Sequence, residues 1–227
     1  MNVCIIVFPG SNCDKDIEKS LISSLKIKPM LIWYLDELPS NPDLIIIPGG
    51  FSYGDYLRSG AIASKSRIMK NIINLSKKGI PIIGICNGFQ ILTEANLLPG
   101  TLVLNNKLKF LCKNTYLKII NNKTNFTKNY NLNEVIQMPI AHKMGNYQAS
   151  DYDFRKLIDN NQIIMRYCSD DGICNERYNP NGSIYDIAGI VDQNGLVLGM
   201  MPHPERHYGH TNVDINMKKI ITSLTSL

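Results

Sequence analysis

Ile80-Pro81-Ile82-Ile83-Gly84-Ile85-Cys86-Asn87-Gly88-Phe89-Gln90-Ile91-Leu92 is the stretch whose reading decides the fold. A short apolar run, ending at Ile85, reads as a buried strand. Phe89 to Ala95 then has helical character. Between them lies Gly84-Ile85-Cys86-Asn87-Gly88, a cysteine flanked by glycines at a strand-to-helix turn. A turn this sharp needs small neighbours, and it lifts the central side chain clear of the sheet as an exposed nucleophile. The amides at the start of the following helix point at the same spot and favour thiolate over thiol. The pentapeptide by itself fits equally well a core cysteine at a strand end, since free cysteine is among the most buried residue types.

The downstream stretch Leu196-Val197-Leu198-Gly199-Met200-Met201-Pro202-His203-Pro204-Glu205 weighs against that bland reading. Leu196–Met201 reads as a strand. Proline disfavours the helical region for the residue before it, so Met201 and His203 are expected to be extended. Side chains two apart in extended chain share a face, which places Glu205 beside His203. A carboxylate there holds the imidazole in one tautomer. Cysteine, histidine and an orienting carboxylate make up the triad of a nucleophilic hydrolase or acyl-transfer enzyme. A proline-rich loop with a surface His-Glu pair is the alternative.

Working outward, the first half alternates strands and helices. Strands are expected at Val3–Phe8, Met30–Trp33, Leu44–Ile47 and Ile80–Ile85, with helices from Asp14 to about Leu25 and over Lys65–Lys78, the latter stopped by Gly79. Continuous apolar strands separated by helices imply a parallel sheet covered on both faces, with sites at the carboxyl ends of the strands. After Gly100 short strands are expected at Thr101–Leu104, Lys109–Leu111, Tyr116–Ile120 and Glu134–Met138, antiparallel in character, with a polar loop over Asn121–Asn133. A helix at Tyr152–Asn160, strands at Ile163–Cys168, Ile187–Val191 and Leu196–Met201, and a closing helix at Val213–Leu224 complete one α/β domain, a mostly parallel sheet with a smaller antiparallel portion. No repeat, linker or second domain is visible.

The turn after Ile47 is long and glycine-rich, Gly49-Gly50-Phe51-Ser52-Tyr53-Gly54-Asp55-Tyr56-Leu57-Arg58-Ser59-Gly60. It meets the cysteine turn on one edge of the sheet. Glycine permits close backbone approach. An amide of Gly50 or Phe51, together with that of Asn87, could bind the oxyanion of a tetrahedral intermediate. A phosphate-binding loop is the competing reading, but the Walker and dinucleotide spacings are absent.

The net charge of +5 is unevenly spread. No acidic residue lies between Glu94 and Glu134, while Lys107, Lys109, Lys113, Lys118, Lys123 and Lys128 all do. Without interleaved aromatics or a nucleic-acid motif, this segment reads as a solvated or protein-docking face, with no nucleic-acid partner. Of the six cysteines, no two form a C-x-x-C pair and the spacing fits no common zinc site, so no metal is expected. Cys4 and Cys112 lie in apolar runs and are expected in the core. The N-terminus reads as a strand and not a signal peptide, and no apolar run has membrane-spanning length. A cytoplasmic protein with reduced thiols is expected, away from any membrane. His207 and His210 follow the triad strand and are expected to be solvated.

Taken together, FPGSNCD from Phe8, PGGFSYGDYLRSGAIA from Pro48, GICNGFQIL from Gly84, LLPG from Leu97, NPNGS from Asn179, DIAGIVD from Asp186 and GLVLGMMPHPER from Gly195 resemble the class I (triad) glutamine amidotransferases with a flavodoxin-like fold. Within them the chain is similar to the small glutaminase subunits of phosphoribosylformylglycinamidine synthase, over nearly its whole length. The resemblance implies one amidotransferase domain over residues 1–227, with Cys86 as nucleophile, His203 as general base and acid, and Glu205 as orienting carboxylate. Gln90 and the loop around His142 would hold L-glutamine. The ammonia would pass to a large synthetase subunit, which uses ATP and Mg²⁺, with a small bridging subunit between the two; no cofactor is implied in this chain itself. One departure stands out. The family usually carries Gly-Glu between the positions of His142 and Gly145, where this chain has Lys143-Met144. That change implies weaker glutamine binding or altered coupling. A catalytically silent scaffold, or another cysteine hydrolase on a similar sheet, remains the alternative.

Overall fold

A computed structural model of the protein describes residues 1–206 and 215–225. The expectations for His207, His210 and the start of the closing helix at Val213 lie outside the described residues. In chain order the elements are β1 Val3–Val7, α1 Asp14–Leu25, β2 Met30–Trp33, β3 Leu44–Ile47, α2 Ala61–Ser64, α3 Arg67–Lys77, β4 Ile82–Ile85, α4 Asn87–Glu94, β5 Thr101–Val103, β6 Leu111–Ile119, β7 Val135–His142, β8 Asn146–Gln148, α5 Asp151–Asp159, β9 Ile163–Cys168, β10 Ile187–Val191, β11 Val197–Met200 and α6 Ile215–Thr225.

One nine-stranded sheet runs β2-β1-β3-β4-β11-β10-β9-β6-β7, and β5 and β8 form a small antiparallel ribbon beside it. The five strands from β2 to β11 are mutually parallel. The remaining four extend the sheet in antiparallel fashion from β11. Strands β3, β4, β10 and β11 are buried along their whole length, which is why their sequences read as unbroken apolar runs. Ser66 caps α3 by accepting the Met69 amide at 3.4 Å, and Ser150 caps α5 by accepting the Asp153 amide at 3.1 Å.

The sheet departs from the sequence expectation in its antiparallel part. β6 is one nine-residue strand, not two short ones. β7 continues through Pro139 to His142, beyond the end expected at Met138. Because β7 is the last strand of the sheet, the missing proline donor costs no ladder bond to a further strand. Cys112 is exposed, contrary to its assignment to the core. β9 pairs with β6 only from Tyr116 to Ile119, so the first half of β6 overhangs the sheet with β7 alone beside it. Among the described residues no helix is long and apolar enough to cross a membrane.

The feature that positions the site is the seating of α4. Its residues from Asn87 to Thr93 are all buried. A Cβ added at Gly88 would fall on the Ile47 carbonyl oxygen, and one added at Gly199 would fall on the Phe89 ring. The helix therefore lies directly on the backbones of β3 and β11, at a spacing only glycine allows. Gly88→Ala is expected to destabilise the fold by about 1–3 kcal/mol through overpacking against backbone. Calorimetry should show a Tm lowered by roughly 2–12 °C for a chain of this size.

Candidate active site

Parallel register brings the site together. β4 and β11 pair Gly84 with Gly199 and Ile85 with Met200, and β3 pairs Ile47 with Gly84. The chain leaving all three strands thus emerges at one edge. There it carries Gly49-Gly50, Cys86 and His203. The amide of Cys86 donates to the Met200 carbonyl at 2.7 Å, extending the β4–β11 ladder up to the cysteine.

Cys86 itself has φ 52° and ψ −104°, a conformation that L-residues avoid. Such backbone costs on the order of 1–3 kcal/mol and persists only where the surroundings over-determine it. Those surroundings are a relay of amides. The Ser52 N–H donates to Asn87 Oδ1 at 3.1 Å, Asn87 Nδ2 donates to Gln90 Oε1 at 2.8 Å, and Gln90 Nε2 donates to the Met144 carbonyl at 2.6 Å. The relay clamps the glycine-rich loop and the residues after β7 onto the start of α4. The thiol points at the Ala141 carbonyl, 3.7 Å away.

His203 is 1 % exposed, and its Nδ1 lies 2.6 Å from Glu205 Oε1, itself buried. The alternation expected from Pro202 and Pro204 is therefore realised. With Nδ1–H directed at the carboxylate, Nε2 faces the cysteine side. Burial disfavours the imidazolium. The Glu205 carboxylate and then the Cys86 and Cys13 thiols outweigh it and hold the His203 pKa well above the ordinary value.

Gly50 stands opposite Ser11 in an isolated antiparallel bridge. The bonds on either side, Phe51 N–H to the Gly10 carbonyl at 2.8 Å and Asn12 N–H to the Gly49 carbonyl at 3.1 Å, make it a non-hydrogen-bonded pair. The Gly50 amide is thereby left open, as is that of Asn87 at the first position of α4. Of the three expected oxyanion donors, the Phe51 amide is engaged by the Gly10 carbonyl, and those of Gly50 and Asn87 make no such bond among the described residues.

Gln90 has both its oxygen and its nitrogen in the relay, so it shapes the site as a clamp. His142 closes β7 at 3 % exposure. Asn105 Oδ1 lies 3.2 Å from its Nδ1 and also accepts the Gly145 amide, while Asn105 Nδ2 donates to the His142 and Lys109 carbonyls. The Asn105 oxygen is thus the acceptor and His142 Nδ1 carries the proton. Its Nε2 is buried without a partner among the described residues. Burial, and then the charge of His203, lower the His142 pKa to about 3. Lys143 is exposed. Met144 occupies the inner position, its sulfur accepting the Ser59 hydroxyl at 3.2 Å. The residue that replaces the usual glutamate near the site is therefore the apolar one. Arg58 of the glycine-rich loop pairs with Glu94 at 2.6 Å.

Cys13, which had no assigned role in the sequence, is 2 % exposed and lies against the His203 imidazole. Arg206 Nη2 donates to its sulfur at 3.1 Å, and Arg206 Nε pairs with Asp16 Oδ2 at 3.1 Å. Its only sequence signal was its place in the turn after β1, the strand next to β3.

Ring-nitrogen NMR over pH 4–8 checks the two histidines. His142 should stay neutral with its proton on Nδ1 throughout, since its lowered pKa lies below this range. His203 should hold its second proton well above pH 6.5, the ordinary value. In Glu205→Gln that proton should be lost at lower pH, because the strongest opposing charge is gone.

Comparisons with known proteins agree with this geometry. The family of CobB/CobQ-like glutamine amidotransferase domains matches residues 1–223. The phosphoribosylformylglycinamidine synthase subunit PurQ of Moorella thermoacetica is 51% identical over 206 residues, covering 91% of this chain and 87% of the relative. The subunit of the same name from Bradyrhizobium diazoefficiens is 45% identical over 208 residues, covering 91% and 89%. Among solved structures, a chain of PurLQS from Thermotoga maritima superposes with a TM-score of 0.84 at 39% identity, over 99% of this chain and 97% of that one. The chain belongs to the CobB/CobQ-like glutamine amidotransferase family and, within it, to the family of the phosphoribosylformylglycinamidine synthase subunit PurQ.

Proposed function

We propose that the chain is the glutaminase subunit of phosphoribosylformylglycinamidine synthase, hydrolysing L-glutamine to glutamate and ammonia for purine biosynthesis. The observation that carries this reading is the buried Glu205–His203 pair at 2.6 Å aimed at the strained Cys86 elbow. Cys86 Sγ, its proton already passed to His203 Nε2, attacks the side-chain amide carbon of glutamine. The amides of Gly50 and Asn87 receive the oxyanion. His203 then gives its proton to the departing nitrogen, leaving a thioester and free ammonia. Water, deprotonated by the same imidazole, cleaves the thioester to glutamate. The raised pKa suits the second step, since the imidazolium must persist long enough to protonate the departing nitrogen. His142, neutral and with an open Nε2 lone pair, offers an acceptor toward the bound substrate, and Gln90 keeps the loop that carries Met144 in place.

Ammonia has to leave without loss to solvent. Exposed apolar side chains edge the glycine-rich loop (Phe51, Leu57) and the loop before β6 (Leu108, Phe110), and the Phe51 and Phe110 rings lie 6.4 Å apart. Such a surface suits the docking of a large synthetase subunit. ATP and Mg²⁺ act on that partner in this reading, a small third subunit bridges the two, and the assembly is cytoplasmic, in keeping with six free cysteines.

An electrophilic glutamine analogue should label Cys86 alone, as mapped by mass spectrometry. Glutamate release by the assembled complex should fall by at least about 10³-fold in Cys86→Ala, as for loss of an essential nucleophile. Full turnover without Cys86 would exclude it as the nucleophile, and an inert wild type in the complete complex would favour a scaffold. Leu57 is 92% exposed, so Leu57→Glu should leave the melting temperature of the isolated chain unchanged. The same change should weaken assembly with the synthetase subunit about ten-fold or more if Leu57 is an interface anchor.

A further inference from the structure

β2 closes one edge of the nine-stranded sheet, with β1 on its inner side and no further strand outside it among the described residues. The register fixes which backbone groups face outward. Met30 stands opposite Cys4 and Trp33 opposite Val7, and the Tyr34 N–H donates to the Val7 carbonyl at 3.0 Å. Alternation along the strand then turns the backbone groups of Met30 and Ile32 toward β1. In a trans peptide the C=O and N–H of one unit point in opposite directions. The Pro29 carbonyl and both groups of Leu31 and Trp33 therefore point away from the sheet. The Trp33 carbonyl is already bonded, accepting the Asp36 amide at 2.8 Å. Pro29 has no N–H. Among the described residues the outer edge thus offers the N–H of Leu31 and Trp33 as donors and the C=O of Pro29 and Leu31 as acceptors. The side chains of the strand are all apolar, with Met30 39% and Trp33 41% exposed.

We propose that β2 pairs antiparallel with β2 of a second copy of this chain, across a two-fold axis at Leu31, and so joins the two sheets into one. In this register the Leu31 N–H of each copy donates to the Leu31 carbonyl of the other, and each Trp33 N–H donates to the opposite Pro29 carbonyl. Every open group of the edge is then used. Where the ladder would ask for one more bond, Pro29 lacks the donor and Trp33 has its carbonyl filled, so nothing is left unpaired. Sliding one strand by two residues sets the Leu31 N–H against the filled Trp33 carbonyl, or the Leu31 carbonyl against donorless Pro29. On one face Met30 meets Ile32 of the second copy; on the other Pro29 lies against the opposite Trp33 indole. Charge agrees with this pairing. Lys26 and Lys28 precede the strand and Asp36 and Glu37 follow it, all exposed. Antiparallel pairing brings the lysines of each copy to the carboxylates of the other. Lysine and proline commonly guard an edge strand against stray partners. Here the same guards admit a partner that carries the complementary groups in reverse order, which is what a second copy supplies. β1 and β3 separate β2 from β4, so the cysteine edge of the sheet stays clear of the contact.

Sedimentation of the reduced full-length chain over a concentration series measures the association. A contact of one short strand per copy is small, so reversible dimerisation with a dissociation constant of about 1–100 µM is expected. Leu31→Pro removes an outward donor and leaves the bonds to β1 in place, and should weaken the dimer ten-fold or more. Asp36→Lys, at an exposed position, should weaken it about three- to ten-fold, and adding Lys28→Glu should restore it. Identical residues meet only on the axis. Leu31→Cys should therefore form a disulfide-linked dimer under mild oxidation, above the wild-type level, and Trp33→Cys should not. A chain that stays monomeric up to about 1 mM, a dimer indifferent to Leu31→Pro and to the charge changes, or faster cross-linking at Trp33→Cys than at Leu31→Cys would overturn the proposal. So would a Leu31→Cys chain that cross-links only to the synthetase subunit in the assembled complex, which would give the edge to that partner.

Discussion

The backbone hydrogen bond from Cys86 N–H to the Met200 carbonyl holds the end of β4 against the end of β11. Everything chemical in the molecule hangs on that contact. It extends a parallel ladder by one step, and the step carries the strand ends that bear a thiol and an imidazole to the same edge. Parallel strands need crossover connections, so residues far apart in the chain meet only if intervening helices fold back onto the sheet. α4 accomplishes the nearest of these returns, and it can do so only because Gly88 lets it lie on β3 without a side chain intervening.

The cost of this arrangement is concentrated where the chemistry is. Among the described residues, the buried side-chain polar atoms without a partner belong to Ser20, Ser52, Asp55, His142, His203 and Glu205. Five of these six lie in the glycine-rich loop, at the end of β7 or in the His203-Pro204-Glu205 segment, and only Ser20 is remote. Unpaired buried groups are uncommon elsewhere in folded proteins, so their clustering marks a surface whose partners come from outside the chain. The positive φ of Cys86 adds backbone strain at the same spot. The apolar β3, β4, β10 and β11 core offsets both, through the burial of whole aliphatic side chains at about 1.5–3 kcal/mol each.

Electrostatics divides labour between two histidines on neighbouring elements. His203 has a carboxylate on one nitrogen and becomes a better base. His142, with a neutral amide and no carboxylate on its Nδ1, is held neutral by burial and then by the charge of His203 nearby. Two residues of one type in one buried region thus take opposite protonation states, because burial goes unopposed at His142 and is outweighed by a carboxylate at His203.

Much of this was legible in the sequence. Strand periodicity and the glycines around Cys86 identified the elbow, and the prolines around His203 identified its pairing with Glu205, because both are local effects of backbone sterics on a few neighbouring residues. The parallel half of the sheet was legible for the same reason: β1, β3, β4 and β11 are buried on both faces and show it in unbroken apolar runs, and only the edge strand β2 is not. What only the tertiary structure decided was non-local. The engagement of the Phe51 amide depends on Gly10, the tautomer of His142 on Asn105, the exposure of Cys112 on how far β9 reaches along β6, and the meeting of Cys13 with His203 on the order of the strands. None of these leaves a trace at short sequence separation, because each is set by which backbone or side chain the folded sheet brings alongside.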